Sequence, residues 1–258
     1  MNLPEETGQM LQMLRAEQKY SVHCIVSDIS LSFVAETLQS VGVSVSLTHD
    51  AREVDDFLES SQSLLLQLGS LTELKEAGMM TAIDAVRRGG KPWVLDPRLA
   101  HRSIFRAELA RRLADNRPKV ICGKPRDLVS VRRSVRNTGL QDFATVMKTT
   151  LVSIGPEDEI VGPLRSATVR NHSNLMDNIV AVDCAVSALC AAFCAVELDG
   201  FKAACGALLV ARIAGERAGR TARGTGSFPA AFLDELWTLT PEDIVASANI
   251  DTRTNPNI

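Results

Sequence analysis

Two side chains that could carry acid–base chemistry, Asp183 and Cys184, stand next to each other in the sequence. They follow a short β-branched run at 178–182 and precede a stretch of small and apolar residues that ends near Glu197. This pattern predicts a strand, a turn and then a buried helix that begins at about Cys184, with the carboxylate of Asp183 as its N-cap. The N terminus of such a helix favours an anion such as phosphate, because its free N–H groups and its dipole both attract negative charge.

Both residues also have a structural interpretation. A free cysteine is commonly a small buried apolar residue, and an aspartate before a helix is commonly a cap. The sequence therefore leaves open whether Cys184 and Asp183 act in catalysis or only in folding. For Cys190, Cys194 and Cys205 the same argument predicts core thiols, since they lie in apolar, alanine-rich stretches.

The composition excludes several classes of protein. Of the 258 residues, 45% are hydrophobic and only 4% aromatic, so the core must consist mostly of Leu, Val, Ala and Ile. A net charge of -3 gives no reason to expect nucleic acid or an anionic membrane as partner. We find no apolar run as long as a membrane span and no signal-peptide pattern. Six scattered cysteines indicate reduced thiols, not disulfides or a zinc site, and hence an intracellular, reducing compartment, cytoplasmic or organellar.

Apolar runs alternate with helix-start signals along the chain, and this order sets the expected fold. Strands are predicted at 21–29, 43–47, 63–69, 91–97, 119–122 and 151–154. Helices are predicted at 1–19, 31–41, 70–78, 105–113, 201–218 and 229–237, and 81–88 either extends the helix at 70–78 or restarts it. Strand–helix alternation with short loops predicts a single α/β domain over residues 1–258, with a mostly parallel central sheet and helices on both faces.

Other segments carry weaker signals. Asp50 with Glu53 resembles a capping box, and Thr240-Pro241 indicates a helix start. We expect a turn at 155–159, a hairpin at 160–169, a solvated helix or loop at 126–137 and a frayed tail at 251–258. The arginines at 132, 133 and 136 form a short basic cluster, either a solvated face or a partner contact.

The segment at 192–197, Ala-Phe-Cys-Ala-Val-Glu, together with Cys184, resembles the hydroxyethylthiazole kinase family, which has the ribokinase-like fold. The resemblance extends in order over most of the chain. It includes Leu95-Asp96-Pro97 and the Gly-Thr-Gly-Ser-Phe turn at 224–228. It implies a ribokinase-like fold for the whole domain.

The resemblance also suggests the site residues. In the family the turn before the central helix reads Gly-Ala-Gly-Cys, its amides form an anion hole, and the Cys lies beside the substrate hydroxyl. The same positions here are Ala181, Val182, Asp183 and Cys184. This makes Cys184 and Asp183 the candidate catalytic residues and Ala181 a candidate substrate-site residue.

Further positions depart from the family pattern. Leu47 stands where a Met touches the thiazole, a tolerable apolar exchange. Cys122 replaces an Arg that contacts nucleotide phosphate, and Ile154-Gly155-Pro156 replaces Ile-Thr-Gly. The resemblance therefore assigns Leu47 to the substrate site and Cys122 and Gly155 to the nucleotide site. The acidic residue tied to magnesium has no clear replacement, so no metal ligand is predicted.

These departures favour a pseudoenzyme. Phosphoryl transfer needs preorganised donors, a metal and positive charge, and Asp183 instead adds negative charge where two glycines are lost. On this hypothesis the chain is a structural or protein-binding subunit that uses no cofactor. The alternative is an active kinase that uses ATP and Mg²⁺ to phosphorylate hydroxyethylthiazole in thiamine salvage, with Asp183 or Cys184 as base. A third possibility is another small-molecule activity in the same pocket.

The resemblance also implies an assembly. By resemblance to the family, the chain would form trimers with the thiazole pocket between subunits. We therefore expect a homo- or hetero-oligomer, most plausibly a ring of three, and possible protein partners in a larger assembly.

Overall fold

The computed structural model of the chain describes residues 2–16, 19–132 and 139–254, apart from the side chain of Val180. Two of the three arginines in the predicted basic cluster, Arg133 and Arg136, lie outside the described residues, as do residues 255–258.

Nine strands in the described part of the chain form one sheet, in the order β2-β1-β3-β4-β5-β6-β7-β8-β9. The strands are β1 (Ser21–Ile25), β2 (Ser44–Ser46), β3 (Ser63–Gln67), β4 (Trp93–Asp96), β5 (Val120–Gly123), β6 (Thr150–Ser153), β7 (Asp158–Val161), β8 (Arg165–Val169) and β9 (Ile250–Thr254). The first six pair in parallel, and β7, β8 and β9 add an antiparallel edge. The predicted mostly parallel sheet is confirmed.

Helices cover both faces of this sheet. They are α1 (Leu3–Arg15), α2 (Leu31–Ser40), α3 (Val54–Ser60), α4 (Glu73–Gly89), α5 (Ile104–Ala114), α6 (Pro125–Val131), α7 (Leu140–Met147), α8 (Val180–Cys194), α9 (Gly200–Thr221), α10 (Phe228–Thr238) and α11 (Pro241–Ser247). Short 3₁₀ helices span Ala100–Arg102 and Met176–Asn178. One core cluster contains residues of α1, α2 and α8–α11, and a second contains residues of α3–α7.

The parallel strands contribute alternate side chains to these two clusters. In β5, Val120 and Cys122 belong to the first cluster and Ile121 to the second. A strand buried on both faces needs apolar residues at successive positions, which explains the continuous apolar runs of the sequence.

The helix α8 lies at the centre of the first cluster, against β1, β3, β4 and β5 and beneath α2 and α9. Every side chain from Cys184 to Cys194 is buried. These residues are mostly Ala and Cys, whose small side chains let the helix lie close to the sheet. The predicted buried helix is therefore confirmed.

The start of α8 differs from the prediction. Residues 178–182 are not a strand. The 3₁₀ helix Met176–Asn178 leads directly into α8, which begins at Val180 with Ile179 as N-cap and without a side-chain cap. The β propensity of this run is overridden by its tertiary packing, because Ile179 and Val182 pack in the first core cluster as part of a helical segment.

Other boundaries also differ in detail. The tail predicted to fray pairs with β8 as strand β9 up to Thr254. The predicted hairpin is present as β7 and β8, but it begins within the expected turn, at Asp158. At the third helix Glu53 is the N-cap, while Asp50 instead accepts a hydrogen bond from the N–H of Arg52 (2.9 Å). The helix start at Thr240 is confirmed as a capping box with Asp243.

None of the described helices is both long enough and apolar enough to span a bilayer.

The close contact of α4 with the loop after β2 yields a stability prediction. A Cβ added at Gly78 would lie 2.0 Å from the carbonyl oxygen of His49, a backbone atom that cannot rotate away. We expect Gly78→Ala to lower the free energy of unfolding by about 1–3 kcal/mol, as overpacking does. Urea denaturation measures the change. The matched control is Gly89→Ala in the same helix, whose Cβ would meet nothing closer than 3.5 Å. Equal stabilities of the two variants would contradict the packing.

Candidate active site

A cavity of about 300 Å³ opens at the carboxyl ends of β4, β5 and β6, beside the N terminus of α8. In open parallel sheets this edge is where ligands bind, since the loops there converge between strands and helix starts. Its ionisable lining side chains are Asp96, Arg98, His101, Lys124, Asp127, Asp177 and Asp183. The apolar part of the lining includes Leu99, Ile154 and Ile179.

Asp96, the last residue of β4, is the deepest of these groups. It is only 3% exposed, and its Oδ2 accepts hydrogen bonds from Gln67 Nε2 (3.0 Å) and Ser187 Oγ (2.9 Å). Burial raises the pKa of this carboxyl to about 6, an effect that the nearby charge of Arg98 and the two hydrogen bonds only partly offset. The carboxyl is therefore held in a fixed position between β3 and α8.

Arg98 lies between two carboxylates. Its Nε is 3.9 Å from Asp96 Oδ2 and its Nη2 is 3.7 Å from Asp183 Oδ2. Lys124, which follows β5, places its Nζ 3.1 Å from the same oxygen of Asp183. We call Asp96, Arg98, Asp183 and Lys124 the charge row, because negative and positive groups alternate along it. Two cations thus lie at the N terminus of α8, where a phosphate would need them.

His101 and Asp127 form a second pair on the cavity wall. His101 Nδ1 is 2.7 Å from Asp127 Oδ1, and the His101 backbone N–H donates to the same oxygen (3.2 Å). The loop that presents Arg98 and His101 contains Leu99 in the left-handed region (φ 63°), an unusual conformation for a residue with a γ-branched side chain. Asp127 therefore fixes the orientation of the imidazole ring.

Asp183 does not cap α8, contrary to the prediction. It lies in the first turn of the helix, after Val180, and its carboxylate is engaged by Lys124 and Arg98. Because α8 begins three residues before Asp183, this residue lies inside the helix and not at the N-cap position, and its carboxylate pairs with the cations of the loops after β4 and β5. Its side chain is 16% exposed and lines the cavity.

Cys184 is 1% exposed, and among the described residues it does not line the cavity. Burial raises the pKa of this thiol, although Arg98 and hydrogen bonds with Ser30 and Gln67 act in the opposite direction. A buried thiol with a raised pKa is a poor thiolate source at neutral pH.

The remaining predicted site residues lie apart. Leu47 is half-buried after β2 and packs against the first core cluster. Cys122 is fully buried in β5, and its thiol interacts with that of Cys190 on α8. Ala181 lies in the first turn of α8, and Gly155 follows the lining residue Ile154. Of the six predicted site residues, only Asp183 contributes to the cavity lining among the described residues.

Sequence reasoning missed Asp96, Lys124 and Asp127 as site residues. A signal was present, because Asp96 ends one buried strand and Lys124 follows the next. Charged residues directly after adjacent parallel strands converge at one edge of the sheet.

The cavity could hold a hard divalent cation. Four aspartates line it against two basic residues, Arg98 and Lys124, so negative charge is in excess. Among the described residues there is no group of three or more His, Cys, Asp or Glu side chains arranged to hold a metal. Mg²⁺ usually takes only one or two carboxylates, with phosphates and water completing its shell, and Asp96 and Asp127 suit that role.

Comparison with known proteins gives consistent results. Residues 11–242 match the model of the hydroxyethylthiazole kinase family. The chain is 31% identical to hydroxyethylthiazole kinase of Cereibacter sphaeroides over 258 residues, which cover 95% of this chain and 98% of the relative.

Solved structures share the fold. Hydroxyethylthiazole kinase from Pyrococcus horikoshii OT3 superposes with a TM-score of 0.88 at 24% identity, covering 96% of this chain and 99% of that one. A ribokinase-like superfamily protein from Enterococcus faecalis gives 0.63 at 9% identity, covering 89% and 95%. The predicted ribokinase-like fold is therefore confirmed.

The raised pKa of Asp96 predicts a pH-dependent stability. Folding raises this pKa from 3.8 to about 6, so the folded protein binds the proton more tightly than the unfolded chain does. Ionisation of Asp96 therefore lowers the free energy of unfolding as the pH rises through this interval, by about 2–3 kcal/mol in total. In metal-free buffer we expect Asp96→Asn to be more stable than the wild type at pH 7–8 and to lose this advantage near pH 4. Denaturant unfolding across this range measures the difference, and a gap that does not vary with pH would contradict the assignment.

Proposed function

Because the chain belongs to the hydroxyethylthiazole kinase family, we propose that it is an ATP-dependent phosphotransferase acting on the alcohol group of a small molecule. The hydroxyethyl group of a thiazole is the first acceptor to consider, as in the relatives' names. The observation that carries the proposal is the charge row, which brings two cations and an accessible carboxylate to the N terminus of α8.

Phosphoryl transfer depends on positioning and on charge stabilisation more than on covalent chemistry. Arg98 and Lys124 would bind phosphate oxygens, and the dipole of α8 would add to their effect. Without a phosphate these cations pair with Asp183. The loss of the family Arg at Cys122 is offset in this proposal by Arg98, which reaches the cavity from the neighbouring loop.

Asp183 is the better candidate for the base. Its carboxylate lines the cavity, whereas the thiol of Cys184 is buried and has a raised pKa. In the proposed reaction Asp183 accepts the proton of the acceptor hydroxyl while that oxygen bonds to the γ-phosphorus of ATP. The bond between this phosphorus and the β–γ bridging oxygen breaks, and ADP leaves with that oxygen. Bound Mg²⁺ would neutralise phosphate charge, and Asp96 and Asp127 are the residues that would hold it.

A second candidate is the pseudoenzyme favoured by the sequence departures. The observation in its favour is that Asp183 lies where the transferred phosphate would approach, already paired with both cations of the charge row. The first turn of α8 also has Ala181 and Asp183 in place of the two glycines of the family turn. A protein of this kind would keep the fold as a protein-binding subunit and would bind ATP weakly.

We also propose that the chain assembles with copies of itself, as the family resemblance implies. Three large exposed apolar residues support this: Ile29 (83% exposed), Leu74 (73%) and Ile104 (81%). They follow the neighbouring strands β1, β3 and β4, so all three lie at the carboxyl edge of the sheet. Clustered exposed apolar residues often mark interfaces.

Sedimentation velocity at micromolar concentration tests the assembly. We expect the wild type to sediment as a trimer, and the double variant Ile29→Glu, Ile104→Glu to shift towards monomer. Val146→Glu is the matched control, because Val146 is 76% exposed on α7 but distant in sequence from these loops. A monomeric wild type, or equal effects of the two changes, would count against this interface.

A coupled ADP-release assay with hydroxyethylthiazole tests the reaction. We expect Asp183→Asn to lower kcat by about 10²–10⁴-fold, the usual contribution of a general base. Cys184→Ala should have a much smaller effect, because its thiol does not line the cavity. Circular dichroism controls for folding. Absence of turnover in the wild type would favour the pseudoenzyme, and a loss confined to Cys184→Ala would make the thiol the essential group.

A further inference from the structure

A buried ion pair outside the charge row joins Arg212 on α9 to Asp158 at the start of β7. Arg212 and Asp158 have side chains only 3% and 1% exposed. Arg212 donates to the carboxylate through both Nε and Nη2, the latter at 2.7 Å from Asp158 Oδ1. A buried pair of this kind is weak support for stability, because desolvation of both charges opposes their attraction. Its presence in an otherwise apolar helix face therefore suggests another role.

The carboxylate of this pair also holds the turn between β6 and β7. Asp158 Oδ1 accepts a hydrogen bond from the backbone N–H of Gly155 (3.0 Å). Gly155 directly follows Ile154, whose side chain lines the cavity. The position of this wall of the cavity thus depends on an oxygen that Arg212 holds.

The other side of the guanidinium reaches the opposite wall. Arg212 Nη1 is 3.6 Å from the Sδ of Met176, which is buried. Met176 begins the 3₁₀ helix whose Asp177 and Asn178 line the cavity, and this helix leads into α8. One side chain on α9 therefore contacts the supports of two cavity walls without lining the cavity itself.

The packing of α9 next to Arg212 is consistent with this role. A Cβ added at Gly215, one turn further along, would lie 2.3 Å from the Sδ of Met176. Glycine at this position lets the segment that carries Asp177 and Asn178 lie directly on the helix. A larger residue would displace the side chain of Met176.

We propose that Arg212 is a positioning residue, which together with Asp158 fixes the two loops that form the nucleotide side of the cavity. The assignment of this side to a nucleotide rests on the proposed function, whereas the positioning of the loops does not. The ligand of this side of the cavity would be a nucleoside triphosphate, bound against the Gly155 turn and the start of α8.

The test replaces the pair by apolar residues of similar size, Asp158→Leu with Arg212→Met. Such replacements often leave stability unchanged or raised, whereas each single change leaves a buried charge without its partner. We expect the double variant to unfold at a denaturant concentration close to that of the wild type. Hydrogen exchange of a peptide spanning 152–158 should nevertheless be at least about tenfold faster, because Gly155 loses its acceptor.

Calorimetry with ATP and Mg²⁺ supplies the second readout, and we expect roughly tenfold weaker binding by the double variant. If the pair had only a structural role, the double variant would match the wild type in both stability and ATP affinity. The matched control is Arg217→Met on the same helix. Arg217 forms ion pairs with Glu235 and Asp243. It should leave both the exchange at 152–158 and the affinity unchanged.

The proposal would be overturned if the double variant showed the same exchange protection at 152–158 and the same ATP affinity as the wild type. If the wild type binds no ATP, the proposed function fails, and the exchange measurement alone still decides the role of Arg212. If the double variant does not fold, Gly215→Ala tests the Met176 contact with the ion pair intact. We then expect faster exchange over 174–179, and unchanged exchange there would refute the positioning role.

Discussion

The guanidinium of Arg98 lies between two carboxylates, Asp96 at the end of β4 and Asp183 in the first turn of α8. At separations near 4 Å, charges that are shielded from water interact more strongly than the same charges in bulk solvent. Asp96 is held in turn by Gln67 on β3 and Ser187 on α8. The arrangement of the cavity therefore depends on one cation that connects the sheet to its central helix.

The fold explains why these charges meet. The small side chains of α8 allow it to lie on β3, β4 and β5, with its N terminus at their carboxyl ends. The loops after β4 and β5 then have to pass over that terminus, and they carry Arg98 and Lys124. The same packing buries Cys184, because it faces the core while Asp183, one position earlier, faces the cavity.

Much of the fold could be predicted from the sequence, because buried parallel strands such as 63–67 read as continuous apolar runs and Thr240-Pro241 is a local helix signal. The start of α8 could not, since the β propensity of 178–182 is overridden by the packing of Ile179 and Val182 in the first core cluster. The ion pairs of Asp183 could not be predicted for a related reason. Its partners, Arg98 and Lys124, are distant in sequence, and only the strand order β4-β5 brings them to the same helix terminus.

In the proposed function the charge row binds the phosphates of a nucleotide. Isothermal titration calorimetry of the wild type with ATP and Mg²⁺, repeated with Lys124→Gln, tests it most directly. We expect one site per chain, with a dissociation constant no weaker than about 1 mM, as is usual for enzyme substrates. We also expect weaker binding by Lys124→Gln and at higher salt. No detectable binding by the wild type, or equal affinity of the two proteins, would contradict it.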